Sequence, residues 1–210
     1  MKKIIRIIMI SSVAFILTAC SGKNSAVTET SFSEVNSENV STSSKLTSET
    51  VSEDMEAVRD VFAMDTYMTV KAYGPQGDAA VEAAVEEINR LDALLSTGNE
   101  DSEVARINAN NGGHFSEDGA ILMERSLELY KSTGGVFDVA IYPVMKAWGF
   151  TDGNYQVPEE DTLKSLLKLA DPSLIDYDSS TAEVNFEEKG VQIDFGGIAK
   201  GYTSYRIMDI

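Results

Sequence analysis

Between Tyr67 and Ala72 the chain alternates, with Met68, Val70 and Ala72 apolar and Tyr67, Thr69 and Lys71 between them. A period of two predicts a half-buried strand. Gly74-Pro75-Gln76-Gly77 then reads as a turn, after which the period changes. Val81, Ala84, Val85, Ile88, Leu91 and Leu95 recur at helical spacing and predict one long amphipathic helix. Ser96 to Gly113 is polar except for a short apolar piece, Val104 to Ile107. A second helix is expected from about Asp118 to Ser132, with Met123, Leu127 and Tyr130 on one face. Pro158 opens a third, running through Leu163, Leu166, Leu167 and Ala170, with Pro172 beyond its end. Ala182–Phe186 and Val191–Phe195 read as a hairpin about Glu187–Gly190, its second arm turning Val191, Ile193 and Phe195 to the core. Another helix begins near Ile198.

Strands and helices mix here without a regular βαβ beat. That favours an α+β fold, a mixed or antiparallel sheet with packed helices, over a doubly wound sheet. Residues 55–210 are enough to enclose a core. Ile210 falls inside the last expected helix, with neither a cap nor a closing strand after it, so the fold is expected to be incomplete at its C-terminus.

The chain upstream has a different character. Lys2, Lys3 and Arg6 precede an almost unbroken apolar run from Ile4 to Ala19, too short to span a bilayer comfortably. It ends in Leu17-Thr18-Ala19-Cys20, small residues before a cysteine. Residues 1–19 therefore read as a lipoprotein signal peptide, cut before Cys20, whose thiol carries a diacylglycerol. Two acyl chains suffice for stable anchoring. The expected location is the extracytoplasmic face of the cell membrane. Cys20 is the only cysteine, so neither a disulfide framework nor a thiolate metal site is available. Residues 20–54 are rich in Ser, Thr, Glu and Asn and read as a disordered linker. A coil of that length reaches about 30 Å.

Charge narrows the function. The chain has 17 Lys+Arg against 34 Asp+Glu. Three of the cations and none of the anions lie in residues 1–19, which leaves the remainder at −20. Such a surface repels nucleic acid. A phosphate-bearing ligand must be held by local devices: a metal ion, a helix N-terminus or one placed lysine.

Four short segments carry candidate chemistry. Ala63-Met64-Asp65-Thr66 stands at the entry to the first expected strand. Leu94-Leu95-Ser96-Thr97-Gly98 follows the long helix, where Gly98 also suits a C-cap. Ser132-Thr133-Gly134-Gly135-Val136-Phe137-Asp138 comes next, with Pro143 and Trp148-Gly149-Phe150 after it. Paired glycines end a helix and allow close backbone approach, and a cap on a following helix is the competing explanation for Asp138. The most informative segment is Val191-Gln192-Ile193-Asp194-Phe195-Gly196-Gly197-Ile198-Ala199-Lys200-Gly201-Tyr202. It runs from an expected strand through two glycines into a helix, whose N–H groups attract anions, with Lys200 one turn in. The order is neither that of a P-loop nor that of a dinucleotide fingerprint, and a plain strand-to-helix turn is the competing explanation.

In this order the four segments resemble the ApbE family of FAD:protein FMN transferases. The likeness rests on Met64-Asp65-Thr66, Leu95-Ser96-Thr97, Gly135-Val136-Phe137-Asp138 with Trp148-Gly149-Phe150, and Asp194 to Gly201, and it covers residues 59–210. It implies an ApbE-like, T-fold-like domain that binds FAD and Mg²⁺, transfers FMN to a Thr or Ser hydroxyl of an acceptor protein, and releases AMP. By the same resemblance Met64 lies against the flavin, Val136, Phe137 and Asp138 line the FAD site, Asp194 and Lys200 contact the nucleotide, and the Gly197 carbonyl coordinates the metal. An uncompensated carboxylate repels a diphosphate, so Asp194 is expected to face sugar hydroxyls or the metal shell. The chain departs from the family pattern at Gly98, where many relatives have a tyrosine, and at Tyr205, where they have an aspartate. Relatives also continue for roughly another hundred residues that supply an aspartate and a threonine as metal ligands, so this chain is expected to be impaired as an enzyme. A non-catalytic flavin-binding surface lipoprotein is the alternative, and a solute-binding or adhesive lipoprotein a remoter one. His114, the only histidine, reads as a solvated loop residue, and Glu159-Glu160-Asp161 as a favourable first helical turn.

Overall fold

The computed structural model describes residues 8–11 and 55–210. Cys20 and the Ser/Thr-rich linker lie outside the described residues, as does the expected leader apart from Ile8–Ser11.

Among the described residues, two small antiparallel sheets, six α-helices and two short 3₁₀ turns form the fold. β1 (Ile8–Ser11), β2 (Glu56–Ala63) and β3 (Thr66–Tyr73) make the first sheet, in the order β1-β3-β2. β1 was expected to play no part in the fold. It pairs with β3 in the register Ile8 to Lys71 through Ser11 to Met68, which satisfies the ladder groups an edge strand would otherwise leave open. α1 (Gly77–Leu95) packs on this sheet through Val81, Ala84 and Ile88, all fully buried in one cluster with Val70 and Ala72. α2 (Glu103–Asn110), β4 (Gly112–His114), α3 (Glu117–Ser132), α4 (Tyr142–Ala147) and α5 (Glu160–Leu166) follow. β5 (Ile175–Asp178) and β6 (Glu183–Phe186) complete a second sheet in the order β4-β6-β5. α6 (Gly196–Ile207) closes the described chain. It joins two cores: Ala199 packs in the cluster with Leu122, Met123, Ile193 and Phe195, and Ile207 in the cluster beneath the first sheet.

The strand over Thr66–Tyr73 and the helices at Gly77–Leu95 and Glu117–Ser132 agree with the hydrophobic periods. Three elements differ. β2 escaped the period-two reading because Arg59 occupies the inward face between Ala57 and Val61. Its guanidinium reaches α1, with Nε 2.7 Å from Glu82. α2 offers only Val104 and Ile107 as buried apolar residues, and its start is marked instead by Ser102, whose hydroxyl accepts from the Ala105 N–H. The third expected helix ends at Leu166, where one carbonyl accepts from both Leu169 and Ala170 and tightens the last turn.

The expected hairpin of Ala182–Phe186 with Val191–Phe195 does not form. β6 pairs with β4 on one side and β5 on the other, so neither edge is open to a third strand. Val191, Ile193 and Phe195 are nevertheless buried, as their alternation predicts. The backbone of this segment is satisfied from elsewhere. The Asn108 side chain accepts from Ile193 N–H at 2.8 Å and donates to Ile193 C=O at 2.9 Å, and Asp194 N–H donates to Val139 C=O. One amide side chain on α2 thus replaces a ladder partner and fixes the strand end that leads into Gly196.

Replacing Asn108 by Ala leaves a buried donor and a buried acceptor unpaired. The expected loss is about 2–4 kcal/mol in urea unfolding, at unchanged m-value.

Candidate functional site

Met64 and Asp65 are the two loop residues of the β2–β3 hairpin, with Ala63 paired to Thr66. Both have left-handed backbone, φ 52° and 53°. A two-residue loop of this kind matches the twist of the strands but normally takes Asn-Gly. A methionine there costs about 1–2 kcal/mol of backbone strain. The segment is therefore a hairpin turn, and not the entry to a first strand. Asp92 on α1 accepts the Met64 N–H at 2.9 Å, and the Thr66 hydroxyl donates to the Met64 carbonyl at 3.2 Å.

The paired glycines after α3 close the helix in a Schellman motif. Gly135 N–H donates to Tyr130 C=O and Gly134 N–H to Lys131 C=O, with φ of 84° and 64°. The chain reverses, and Phe137 is laid over Gly197: a Cβ on that glycine would lie 2.9 Å from Phe137 Cε2. Asp138 caps the 3₁₀ turn Val139–Ile141 by accepting the Ala140 N–H at 2.8 Å. Burial pushes its pKa up against that hydrogen bond, and the charge of Asp171 adds to the rise. Asp138 is thus a helix cap, and it also lines the cavity described below.

At the start of α6, Gly196 and Gly197 are exposed. Asp194 Oδ1 accepts the Gly196 N–H at 2.6 Å, and the Phe195 carbonyl accepts from Ile198 and Ala199. The helix start therefore offers an anion fewer donors than its sequence suggests, because its own carboxylate occupies one of them. The ammonium of Lys200, one turn on, forms no salt bridge among the described residues.

These pieces enclose one cavity of about 980 Å³. Its walls include Met64, Val136, Phe137, Asp138, Asp194, Gly197 and Lys200, all the candidate residues within the described chain, together with Ser96, Thr97 and Gly98. The glycine pair thus opens onto a cleft, not onto apolar packing. The sequence reading missed Asp92, Tyr130 and Met145, which also line it. Trp148 stands behind the wall: Phe150 lines the cavity, and Trp148 stacks on it with planes 5° apart. His114 lies on β4 and Tyr205 is exposed on α6, and neither lines the cavity. One lysine faces four carboxylates, Asp65, Asp92, Asp138 and Asp194.

Behind the cavity, α6 is tied to α1 and α3 by a polar network. The buried Asp118 carboxylate accepts from Tyr202 Oη at 2.5 Å and from Arg90 Nη2 at 2.8 Å. Glu87 accepts from Arg90 at 2.7 Å and from Arg206 at 3.4 Å. Burial raises the Asp118 pKa, but Tyr202, Arg90 and Arg206 together outweigh it and hold the carboxyl below its usual value. Burial and the Asp118 charge push the Tyr202 phenol up to about 12.

The sequence pattern of the ApbE family matches residues 64–210. The FAD:protein FMN transferase of Treponema pallidum (strain Nichols) is 28% identical over 164 residues, covering 72% of this chain and 45% of the relative. The enzyme of the same name from Klebsiella pneumoniae (strain 342) is 27% identical over 149 residues, covering 70% and 47%. Among solved structures, the ApbE protein of Thermotoga maritima superposes with a TM-score of 0.68 at 27% identity, covering 73% of this chain and 51% of that one. The chain spans about half the length of the curated relatives it matches.

Asp118→Asn tests the network through pH. A carboxyl whose native pKa is depressed contributes stability above its unfolded value, here 3.8, and loses that contribution as the pH falls through the native value. The variant should melt below the wild type at pH 7, and the gap should narrow as the pH falls below the unfolded value of 3.8. A gap that stays constant below that value counts against the assignment.

Proposed function

Because the chain belongs to the ApbE family, we propose that it binds FAD in the cavity and serves the transfer of FMN to a hydroxyl of an acceptor protein. The observation that carries the reading is the convergence of Met64, Phe137, Asp138, Asp194, Gly197 and Lys200, from three separated segments, on that one cleft. Lys200 is the cation in reach of a diphosphate, and Phe137, Tyr130 and Phe150 offer flat apolar surface to rings. In the reaction a Thr or Ser oxygen of the acceptor attacks the FMN-side phosphorus. The P–O bond to AMP breaks, AMP leaves with the bridging oxygen, and the hydroxyl proton passes to solvent. The chain's own part is to position the diphosphate and stabilise charge on its oxygens.

Magnesium belongs to the same proposal. Four carboxylates beside one lysine disfavour a dianionic ligand unless a further cation accompanies it. Among the described residues no group of three or more His, Cys, Asp or Glu side chains converges as a metal site. The donors present, chiefly the Gly197 carbonyl, do not by themselves fit a complete magnesium site. That observation favours a second reading, a flavin-binding protein without transfer activity. Anchoring by a lipid on Cys20 at the extracytoplasmic face completes the proposal and rests on the leader sequence.

The full chain is incubated with FAD, Mg²⁺ and an acceptor protein bearing a flavinylation-site threonine, then denatured. Flavin fluorescence that stays on the acceptor supports transfer. Reversible FAD binding alone supports the second reading, and no FAD binding refutes both. Lys200→Met should weaken FAD about tenfold by removing the charge that meets the diphosphate. Gly197→Ala should weaken it comparably with little change in melting temperature, because the new methyl group displaces the Phe137 ring from the cavity wall.

A further inference from the structure

Asp92 and Met64 are each locally unfavourable choices. A carboxylate in the last turn of α1 faces the negative end of the helix dipole, and that turn holds no basic residue. Met64 takes a left-handed backbone that suits glycine or asparagine. The two are joined by the 2.9 Å hydrogen bond from Met64 N–H to Asp92 Oδ1. The Met64 side chain is held separately: the Thr203 hydroxyl, fully buried on α6, lies 3.6 Å from its sulfur. Backbone and thioether are thus fixed by two different helices, and both Met64 and Asp92 line the cavity. The Asp92 carbonyl also accepts the Ser96 N–H, so the same residue anchors the neighbouring wall, Ser96 to Gly98.

We propose that Asp92 is a positioning residue for the nucleotide: its carboxylate clamps the hairpin tip in its strained turn so that the Met64 thioether forms a fixed wall for the ligand's ring system. This rests on the flavin reading of the cavity. The clamp acts through Met64 and needs no contact between Asp92 and the ligand. It requires an acceptor oxygen at Oδ1, which asparagine also supplies. It is dispensable where residue 64 takes the left-handed turn without strain.

The experiment uses the full chain, its Asp92→Ala and Asp92→Asn variants, and the same two changes on a Met64→Gly background. FAD is titrated by its own fluorescence, and amide hydrogen exchange at residue 64 is followed without ligand. Asp92→Ala should raise the FAD dissociation constant and speed exchange at Met64, each about tenfold, and Asp92→Asn should restore most of both. On the Met64→Gly background, Asp92→Ala should change FAD affinity less than twofold. Equal losses on the two backgrounds would mean that Asp92 acts elsewhere, and the proposal fails. Unchanged exchange at Met64 in Asp92→Ala overturns the clamp whatever the ligand. Should the wild type bind no FAD, the flavin reading and the ligand half of the proposal fall together, while the exchange data still decide whether the clamp exists.

Discussion

A carboxylate withdrawn from water must find its counter-charges within the protein. Asp118 is buried on α3, and it finds Arg90 on α1, Tyr202 on α6 and, at 3.9 Å, Arg206 one turn further. Three helices from distant parts of the chain are held together by that requirement. α6 brings Gly196, Gly197 and Lys200 to the cavity at its N-terminal end. With Ala199 in one hydrophobic cluster and Ile207 in the other, the helix can neither slide nor rotate without opening a core. The cavity wall is therefore set largely from behind, by Asp118, Arg90, Tyr202 and Ile207, which do not line it.

Several departures from local preference lie at the cavity, although Asn111 and Ala182 also hold left-handed backbone away from it. Met64 and Asp65 hold left-handed backbone, Asp92 opposes the dipole of its own helix, and Asp138 is held half-buried with its pKa raised. Away from it, Ser102 and Ser116 cap α2 and α3 through their hydroxyls, and Glu117 and Asp118 stand in the first turn of α3, where the dipole favours them. With four carboxylates and one lysine on its walls, the cavity disfavours an anionic ligand that comes without an accompanying cation.

Much of the fold was legible wherever one physical signal dominated. The uninterrupted stripe from Val81 to Leu95 and the alternation from Met68 to Ala72 can be buried in only one way each, and the structure buries them so. Signals failed where a polar side chain stood in for an apolar one or for a backbone partner. Arg59 hid β2 because its charge is satisfied by Glu82, 23 residues away. The second arm of the expected hairpin has the burial pattern of a strand, yet its hydrogen bonds come from the Asn108 side chain and from Val139. Alternation reports which face is buried and is silent about what lies beside the backbone.

Sequence by itself determined the α+β class, the main helices and the family, since these depend on periodicity and on short ordered motifs. It also nominated most of the residues that line the cavity, because glycine pairs, an isolated lysine and placed aromatics are local features. Tertiary structure alone decided how those residues combine: that Phe137 lies over Gly197, and that Asp92 holds the tip of a hairpin 28 residues earlier. The reason is that a hydrogen-bond donor or a charge is satisfied by whatever the fold brings within about 3 Å, and no spacing along the chain specifies that partner.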